Sequence, residues 1–460
     1  MQRLLRLQSR VVALPPLRRQ LSVQATGYTS VGSFHTPSID DIFDQDDVPL
    51  PVAMHFEGPP SSFGSHMRQH FLLDQDWTFI NHGAFGASLR SGVTAANAWR
   101  DLAERQPLKF YDREFFFYLV YAIKQLATTL QAPPKDLVLL PNATSGLNAV
   151  IQSMAATMQP GDSIYSLDVA YGAVKKLLHQ VCSERRLVHE SHVLSFADAH
   201  CDDAIVARIA ATLPQSGCRL VVLDHVTSNT ATVLPVQRIV ELCHARGIPV
   251  LVDGAHGLLN LDLDLAAIGA DFYVGNCHKW LSSPKGAAFL HVQPHYQAVV
   301  RPQVQSHGMG DGFQSTFMWT GLQDYSALLA LPACLSFWAA HDMSAIRAYM
   351  HGTVDTAVAE LARAWRMDEA PSSPPPQKQS SMRLVALPPG VFGTALKPTS
   401  VDAKLVQDTL HFLHMIEAPV KCVEGRLYVR LSAHVYNTTE DYARLADVVR
   451  AGVTQSQKVV

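Results

Sequence analysis

Six short apolar runs recur through the middle of the chain and restrict its fold more than any other feature. They are "LVLLP" (Leu137–Pro141), "SIYSL" (Ser163–Leu167), "RLVVLDHV" (Arg219–Val226), "IPVLVD" (Ile248–Asp253), "DFYVG" (Asp271–Gly275) and "GAAFLHV" (Gly286–Val292). Runs of this length and composition read as strands buried on both faces. Helical periodicity lies between several of them. Leu147, Val150, Ile151, Met154, Ala155 and Met158 form one stripe, a second helix starts near Tyr171, and "VQRIVELCHARG" (Val236–Gly247) is a third, ending in glycine. The expected architecture is α/β: a mostly parallel sheet with helices on both faces.

In such sheets ligands bind beyond the carboxyl ends of the strands. The sequence places Thr144 and Ser145, Ser228, Asp253 and Lys279 at such ends. A lysine suits a Schiff base with a carbonyl. A carboxylate suits a protonated ring nitrogen, and a helix N-terminus with hydroxyls suits a phosphate. Pyridoxal phosphate offers all three partners. A nicotinamide cofactor fits poorly, because no G-x-G-x-x-G joins a strand to a helix. "HGMGDG" (His307–Gly312) reads as a loop, and there is no phosphate-binding G-x-x-x-x-G-K-[ST].

At 460 residues the chain is long enough for two or three domains. A formal net charge of −3 gives no electrostatic reason to expect nucleic acid or an anionic membrane as partner. The longest apolar stretch, between Asp324 and Asp342, is broken by Pro332 and reads as a core helix rather than a membrane span. The 7 cysteines form no C-x-x-C pair, which fits scattered thiols. "HESH" (His189–His192) lacks the H-E-x-x-H spacing, so no metal site is expected.

The N-terminus carries Arg3, Arg6, Arg10, Arg18 and Arg19, with no acidic residue before Asp40. Residues 1–21 therefore read as a transit peptide, with a mitochondrial destination expected and the cytoplasm or another organelle as the alternative. Residues 22–65, rich in Ser, Pro and Asp, read as a flexible linker or arm. Residues 66–340 form the expected cofactor-binding large domain and 341–460 a smaller C-terminal domain. The breaker-rich "EAPSSPPPQKQSS" (Glu369–Ser381) reads as an exposed insertion in that smaller domain.

Seven motifs then point to one family: "INHGAFGA" (Ile80–Ala87), "PNATSGLNAV" (Pro141–Val150), "DVAYGAV" (Asp168–Val174), "DHVTSNTATVLPV" (Asp224–Val236), "VDGAHG" (Val252–Gly257), "GNCHKW" (Gly275–Trp280) and "RLSAHVYNTTEDYARL" (Arg430–Leu445). In order and spacing the chain resembles the class V aminotransferase family of pyridoxal phosphate enzymes, and within it the isopenicillin N epimerase-like and cysteine desulfhydrase-like members. The resemblance implies an aspartate aminotransferase-like, fold type I large domain, a smaller α+β C-terminal domain and a homodimer. It implies that Lys279 holds the cofactor as a Schiff base and moves the substrate α-proton. Asp253 would pair with the ring nitrogen, His256 would reach the ring oxygen, and Tyr171 would stack on the ring. Thr144, Ser145 and His278 would bind the phosphate, with Thr320 reaching that of the neighbouring subunit. Ser228 stands where cysteine desulfurases carry an asparagine. Asn81 and Arg430 would grip the substrate carboxylate.

Singly, each residue has a plainer reading. A lone lysine is ordinarily a surface lysine, Thr144 and Ser145 a helix cap, Asp253 a strand-end cap. Their joint occurrence in family order reverses this. The motifs serve elimination, epimerisation and transamination alike. Cysteine desulfurases add a nucleophilic cysteine upstream of the carboxylate-binding arginine. Here only Cys422 is in that region, between two short strands, where a packed cysteine is the expected state. The expected activity is β-elimination on cysteine or a related thio-amino acid. Epimerase and aminotransferase are the alternatives, and a catalytically dead homologue is opposed by the presence of both Lys279 and Asp253.

Overall fold

The computed structural model describes residues 34–54, 62–367 and 380–457. The expected transit peptide and most of the Pro-rich insertion lie outside them. A two-residue strand, β1 (Thr78–Phe79), precedes the large sheet. That sheet is built from β2 (Leu137–Leu140), β3 (Ser163–Leu167), β4 (Val188–His192), β5 (Cys218–Asp224), β6 (Val250–Asp253), β7 (Phe272–Asn276) and β8 (Ala288–Val292). Their spatial order is β2-β8-β7-β6-β5-β3-β4. The ladders from β4 to β7 are parallel. β8 runs antiparallel to both of its neighbours.

The apolar runs are explained by burial on both sides. In β5, Val221 and Leu223 pack into one core while Leu220 and Val222 pack into another. In β6, Val250 and Val252 face the first core and Leu251 the second. Successive side chains point to opposite faces, and here both faces are covered.

Residues 34–54 depart from the flexible arm expected of them. Ile39–Phe43 is a helix capped by Ser38, and Ile39, Ile42 and Phe43 join the core of the large domain. The apolar stretch before Asp342 forms two helices, Ser326–Leu329 and Leu331–Ala339, with Pro332 in the first turn of the second. Proline is tolerated there because that N–H has no helical partner. Among the described residues no helix is long and apolar enough to cross a membrane.

The C-terminal part packs the helices Met343–Ala364, Ser400–His414 and Thr439–Gln457 on a second sheet. Its strands are β9 (Met382–Ala386), β11 (Val420–Val423) and β12 (Arg426–Ser432), antiparallel in the order β11-β12-β9. A short β10 (Ile416–Glu417) pairs in parallel with β1. Ile80 belongs to the core of this smaller domain, and Ser432 N donates to its carbonyl at 2.9 Å. The segment 78–80 is therefore stitched to the C-terminal domain, and the chain returns to the large domain through residues 81–89.

Candidate active site

The chain order reverses between β3 and β5, since β3 carries β4 on one side and the later strands follow β5 on the other. Ligand sites in open α/β sheets form at such a reversal. A cavity of about 140 Å³ opens there, lined by Thr144, Tyr171, Asp224, Ser228, Asp253, His256, Asn276, His278 and Lys279 among others. Phe85, 76 % exposed, overhangs it. Phe85 also borders a wider open groove of 460 Å³ that contains Asn81, Lys285 and Glu417.

Lys279 follows β7, and its Nζ lies 3.2 Å from His256 Nε2. The Trp280 indole N–H donates to His256 Nδ1 at 3.3 Å. A ring nitrogen that accepts is unprotonated, so neutral His256 carries its proton on Nε2 and offers it to the amine. Only a neutral amine can accept it. Burial drives Lys279 down to about 8 against the opposing pull of Asp253. At pH 7 the neutral fraction is then roughly 300-fold larger than for an ordinary lysine. Burial also holds His256 well below the usual histidine range, with Lys279 and Arg430 adding to the effect.

Asp253 ends β6, is 5 % exposed, and accepts Ala255 N at 3.1 Å. Asp224 ends β5, is 6 % exposed, and stands in register beside it. Sequence reasoning passed over Asp224. Burial raises both carboxyls, and for Asp224 the neighbouring Asp253 charge raises it further. The pair favours holding a proton in the folded protein. An acid whose folded pKa is raised gives stability that is complete below the unfolded value and lost as pH rises through the folded one. Asp224→Asn should therefore raise the melting temperature of the cofactor-free protein more at pH 8 than at pH 5. Calorimetry at the two pH values checks this, and an equal gain at both would remove the proton-holding role.

The N-terminus of helix Ala143–Ala155 meets the same edge. Asn142 caps it, accepting from Ser145 N at 2.9 Å and from the Ser145 hydroxyl at 3.1 Å. Ser145 thus spends its hydroxyl on the cap and is absent from the cavity lining, whereas Thr144 is exposed on it. Asn276, a second residue missed in the sequence, accepts from Ala143 N at 2.9 Å and fastens the helix to β7. His278 places its Nδ1 3.1 Å from Ala287 O, and burial lowers it to about 4. Tyr171, 45 % exposed, is the N-cap of the helix Gly172–Arg185 and lines the cavity.

Arg430, on β12 of the smaller domain, does not line this cavity but lies behind Ser228, which does. It is 4 % exposed. Its Nη1 donates to Ser228 O and its Nη2 to Asn81 Oδ1 at 3.0 Å. Its buried Nε has no hydrogen-bond partner among the described residues. Asn81 is held in turn by Glu417, which accepts from its Nδ2 at 3.1 Å. Thr320 stays outside this cavity and accepts from Gln323 at 3.2 Å. No described group of His, Cys, Asp or Glu could hold a metal ion.

This donor set fits pyridoxal phosphate. A buried amine with a lowered pKa faces a buried carboxylate pair. A helix N-terminus and an exposed aromatic ring line the cavity, and behind Ser228 stands an arginine whose buried Nε–H has no partner among the described residues. Sheet topology and site together define a fold type I pyridoxal phosphate enzyme.

Comparison with known proteins narrows this. The aminotransferase class-V family model matches residues 113–445. An L-cysteine desulfhydrase of Arabidopsis thaliana is 28 % identical over 400 residues, covering 80 % of this chain and 86 % of that one. Isopenicillin N epimerase of Streptomyces clavuligerus is 32 % identical over 401 residues, covering 84 % and 97 %. The apo cysteine desulfurase of Thermococcus onnurineus NA1 shares the fold with a TM-score of 0.70 at 17 % identity, covering 86 % of this chain and 100 % of that one. The chain belongs to the class-V aminotransferase family, whose cofactor is pyridoxal phosphate.

Proposed function

We propose that the protein is a pyridoxal phosphate-dependent carbon–sulfur lyase acting on cysteine or a related thio-amino acid. The observation that carries this reading is where the cysteines lie. Among the described residues none lines the cavity. Cys422 sits on β11 with its thiol turned to Pro398 O at 3.3 Å, and Cys277 is fully buried beneath the lysine loop. Transfer of sulfur to an enzyme thiol needs a cysteine at the site, whereas β-elimination needs only a base and a route for the leaving thiolate.

Bound in the cavity, the cofactor would supply an electron sink for the pair left when the substrate α-proton departs. Lys279 would hold it covalently, Asp253 would face its ring nitrogen, and His256 its ring oxygen. Tyr171 would lie on the ring. Thr144, Asn276 and His278 would surround the phosphate, whose negative charge would raise His278 from its low value. Arg430 and Asn81 would seat the substrate carboxylate. The neutral Lys279 amine would accept the α-proton, and the thiolate would leave the β-carbon with its bonding pair.

L-Cysteine should then give pyruvate, ammonia and sulfide in equal amounts with no added keto acid. Coupled assays of the three products check this. Turnover that depends on a keto acid would establish an aminotransferase. D-isomer formation without sulfide would establish an epimerase, the reading that the Streptomyces relative favours.

A further inference from the structure

Behind the lysine loop two histidines that no part of the proposed chemistry uses lie ring on ring. His82, which opens the one-turn helix His82–Phe85 after β1, and His434, just after β12, are both 0 % exposed. Their centroids are 3.8 Å apart and their planes 17° from parallel. His82 Nε2 is 2.9 Å from Lys279 O, and its Nδ1 is 2.8 Å from the Tyr436 hydroxyl. A carbonyl can only accept, so Nε2 carries the proton and the tyrosine donates to Nδ1. His434 Nε2 is 3.1 Å from Trp280 O and donates to it by the same argument. Its Nδ1 is buried with no partner among the described residues.

We infer that His82 and His434 form a clamp that positions Lys279. The clamp holds two successive backbone carbonyls of the lysine loop, those of Lys279 and Trp280. Trp280 in turn fixes His256, which contacts the Lys279 amine. The short helix bearing His82 and its C-cap Gly86 are pressed on this backbone. Gly86 has φ +69°, and a Cβ there would stand 2.1 Å from His278 O and 2.7 Å from Lys279 O. On its other side Gly83 N donates to Ser432 Oγ at 3.2 Å, and a Cβ on Gly83 would meet Met382 Sδ at 2.6 Å.

The arrangement links three parts of the site. Asn81 immediately precedes His82, and Arg430 lies four residues before His434. The two segments that grip a carboxylate therefore also hold the lysine backbone. A protonated histidine stacked on another would be opposed by burial and by its neighbour's charge. His82 lies well below the usual range, and burial lowers His434 to about 3. Both stay neutral throughout the working range, so the clamp is a fixed support and not an acid or base.

The inference rests on Lys279 as the cofactor lysine, and the experiment separates the two ideas. Apoprotein is mixed with pyridoxal phosphate, which can join the lysine, and separately with pyridoxamine phosphate, which cannot. His434→Leu should bind pyridoxamine phosphate within about twofold of the unaltered protein. It should capture pyridoxal phosphate at least about tenfold more slowly, because a 1 Å misplacement of a reacting group can cost about 10²-fold. kcat should fall while KM stays within about twofold. His434→Gln, which restores an N–H near the Nε2 position, should recover most of the loss. Equal weakening toward both cofactor forms would reduce the pair to packing and overturn the clamp, as would unchanged capture. If His434→Leu does not fold, Tyr436→Phe, which leaves the stack but frees His82 Nδ1, replaces it with the same expectations. Failure of the unaltered apoprotein to capture pyridoxal phosphate would instead overturn the assignment of Lys279.

Discussion

Lys279→Ala protein, reconstituted with pyridoxal phosphate, reduced with borohydride and dialysed, is expected to be colourless, while the unaltered protein keeps a covalent chromophore. The expectation follows from which amines the cavity offers. Lys279 is the lysine among the described residues that lines it, and burial at about 8 leaves its amine nucleophilic near neutral pH. Turnover should fall by about 10³-fold or more, since the variant loses both the covalent anchor and the base. The fold should survive. Removing an amine that burial already pushes toward its neutral form costs little, although Asp253 and Asp224 lose the charge that opposes their raised pKa values whenever Lys279 is protonated. Circular dichroism and a melting curve close to those of the parent would separate a missing amine from a collapsed site. Retention of the chromophore through dialysis would place the covalent link on another lysine.

Much of this site was legible because fully buried strands write themselves as unbroken apolar runs, and the residue that ends such a run faces the cavity. Asp253 and Lys279 were found that way. The same signal is present for Asp224, since "RLVVLD" ends as "PVLVD" does, but a strand read on through His225 to Val226 puts Asp224 inside the run and not at its end. Asn276 was hidden because its role is to bind the backbone of a helix 133 positions earlier in the chain. The family motif implies Ser145 at the phosphate, while its hydroxyl donates to the capping Asn142 Oδ1, a local competition that spacing alone does not settle.

Strand β4 left no trace in the sequence. "VHESH" has no apolar run, because an edge strand of half-exposed residues is held by its ladder to β3 and not by two covered faces. The segment 34–54 was misjudged for a related reason. Its Asp and Pro content suggested solvent, but Ile39, Ile42 and Phe43 sit at i, i+3 and i+4, and the acids Asp40 and Asp41 occupy the first turn of that helix where its dipole favours them. The pairing of β1 with β10 joins residues more than 330 positions apart, and local pattern carries no information about it. Tying Asn81 and His82 to the smaller domain depends on that pairing.

Arg430→Lys should raise KM for the amino acid about 10- to 100-fold while changing the affinity for pyridoxamine phosphate by less than about threefold. The guanidinium spans two fixed acceptors, Ser228 O and Asn81 Oδ1, and keeps a buried Nε without a partner among the described residues. A planar fork can satisfy those acceptors and still present N–H groups to a carboxylate. An ammonium is a point charge on a flexible stem and cannot reach all of these positions at once. Whichever group it abandons is buried, and a charge-assisted hydrogen bond lost in such a place costs about 1.5–3 kcal/mol, and the expected KM range corresponds to the lower part of that cost, at about 1.4 kcal/mol per tenfold. Burial lowers Arg430 to about 10, so the guanidinium remains charged throughout the neutral range. A lysine in the same position would be drawn down by the same burial and would begin to lose its charge there. The KM defect of the variant should therefore widen as pH rises from 7 to 9, whereas the parent arginine keeps its charge through most of that interval. Steady-state kinetics across that interval, with pyridoxamine phosphate titrations of the apoprotein alongside, provide the check. A KM within twofold of the parent at every pH, or a parallel loss of cofactor affinity, would remove Arg430 from the substrate site.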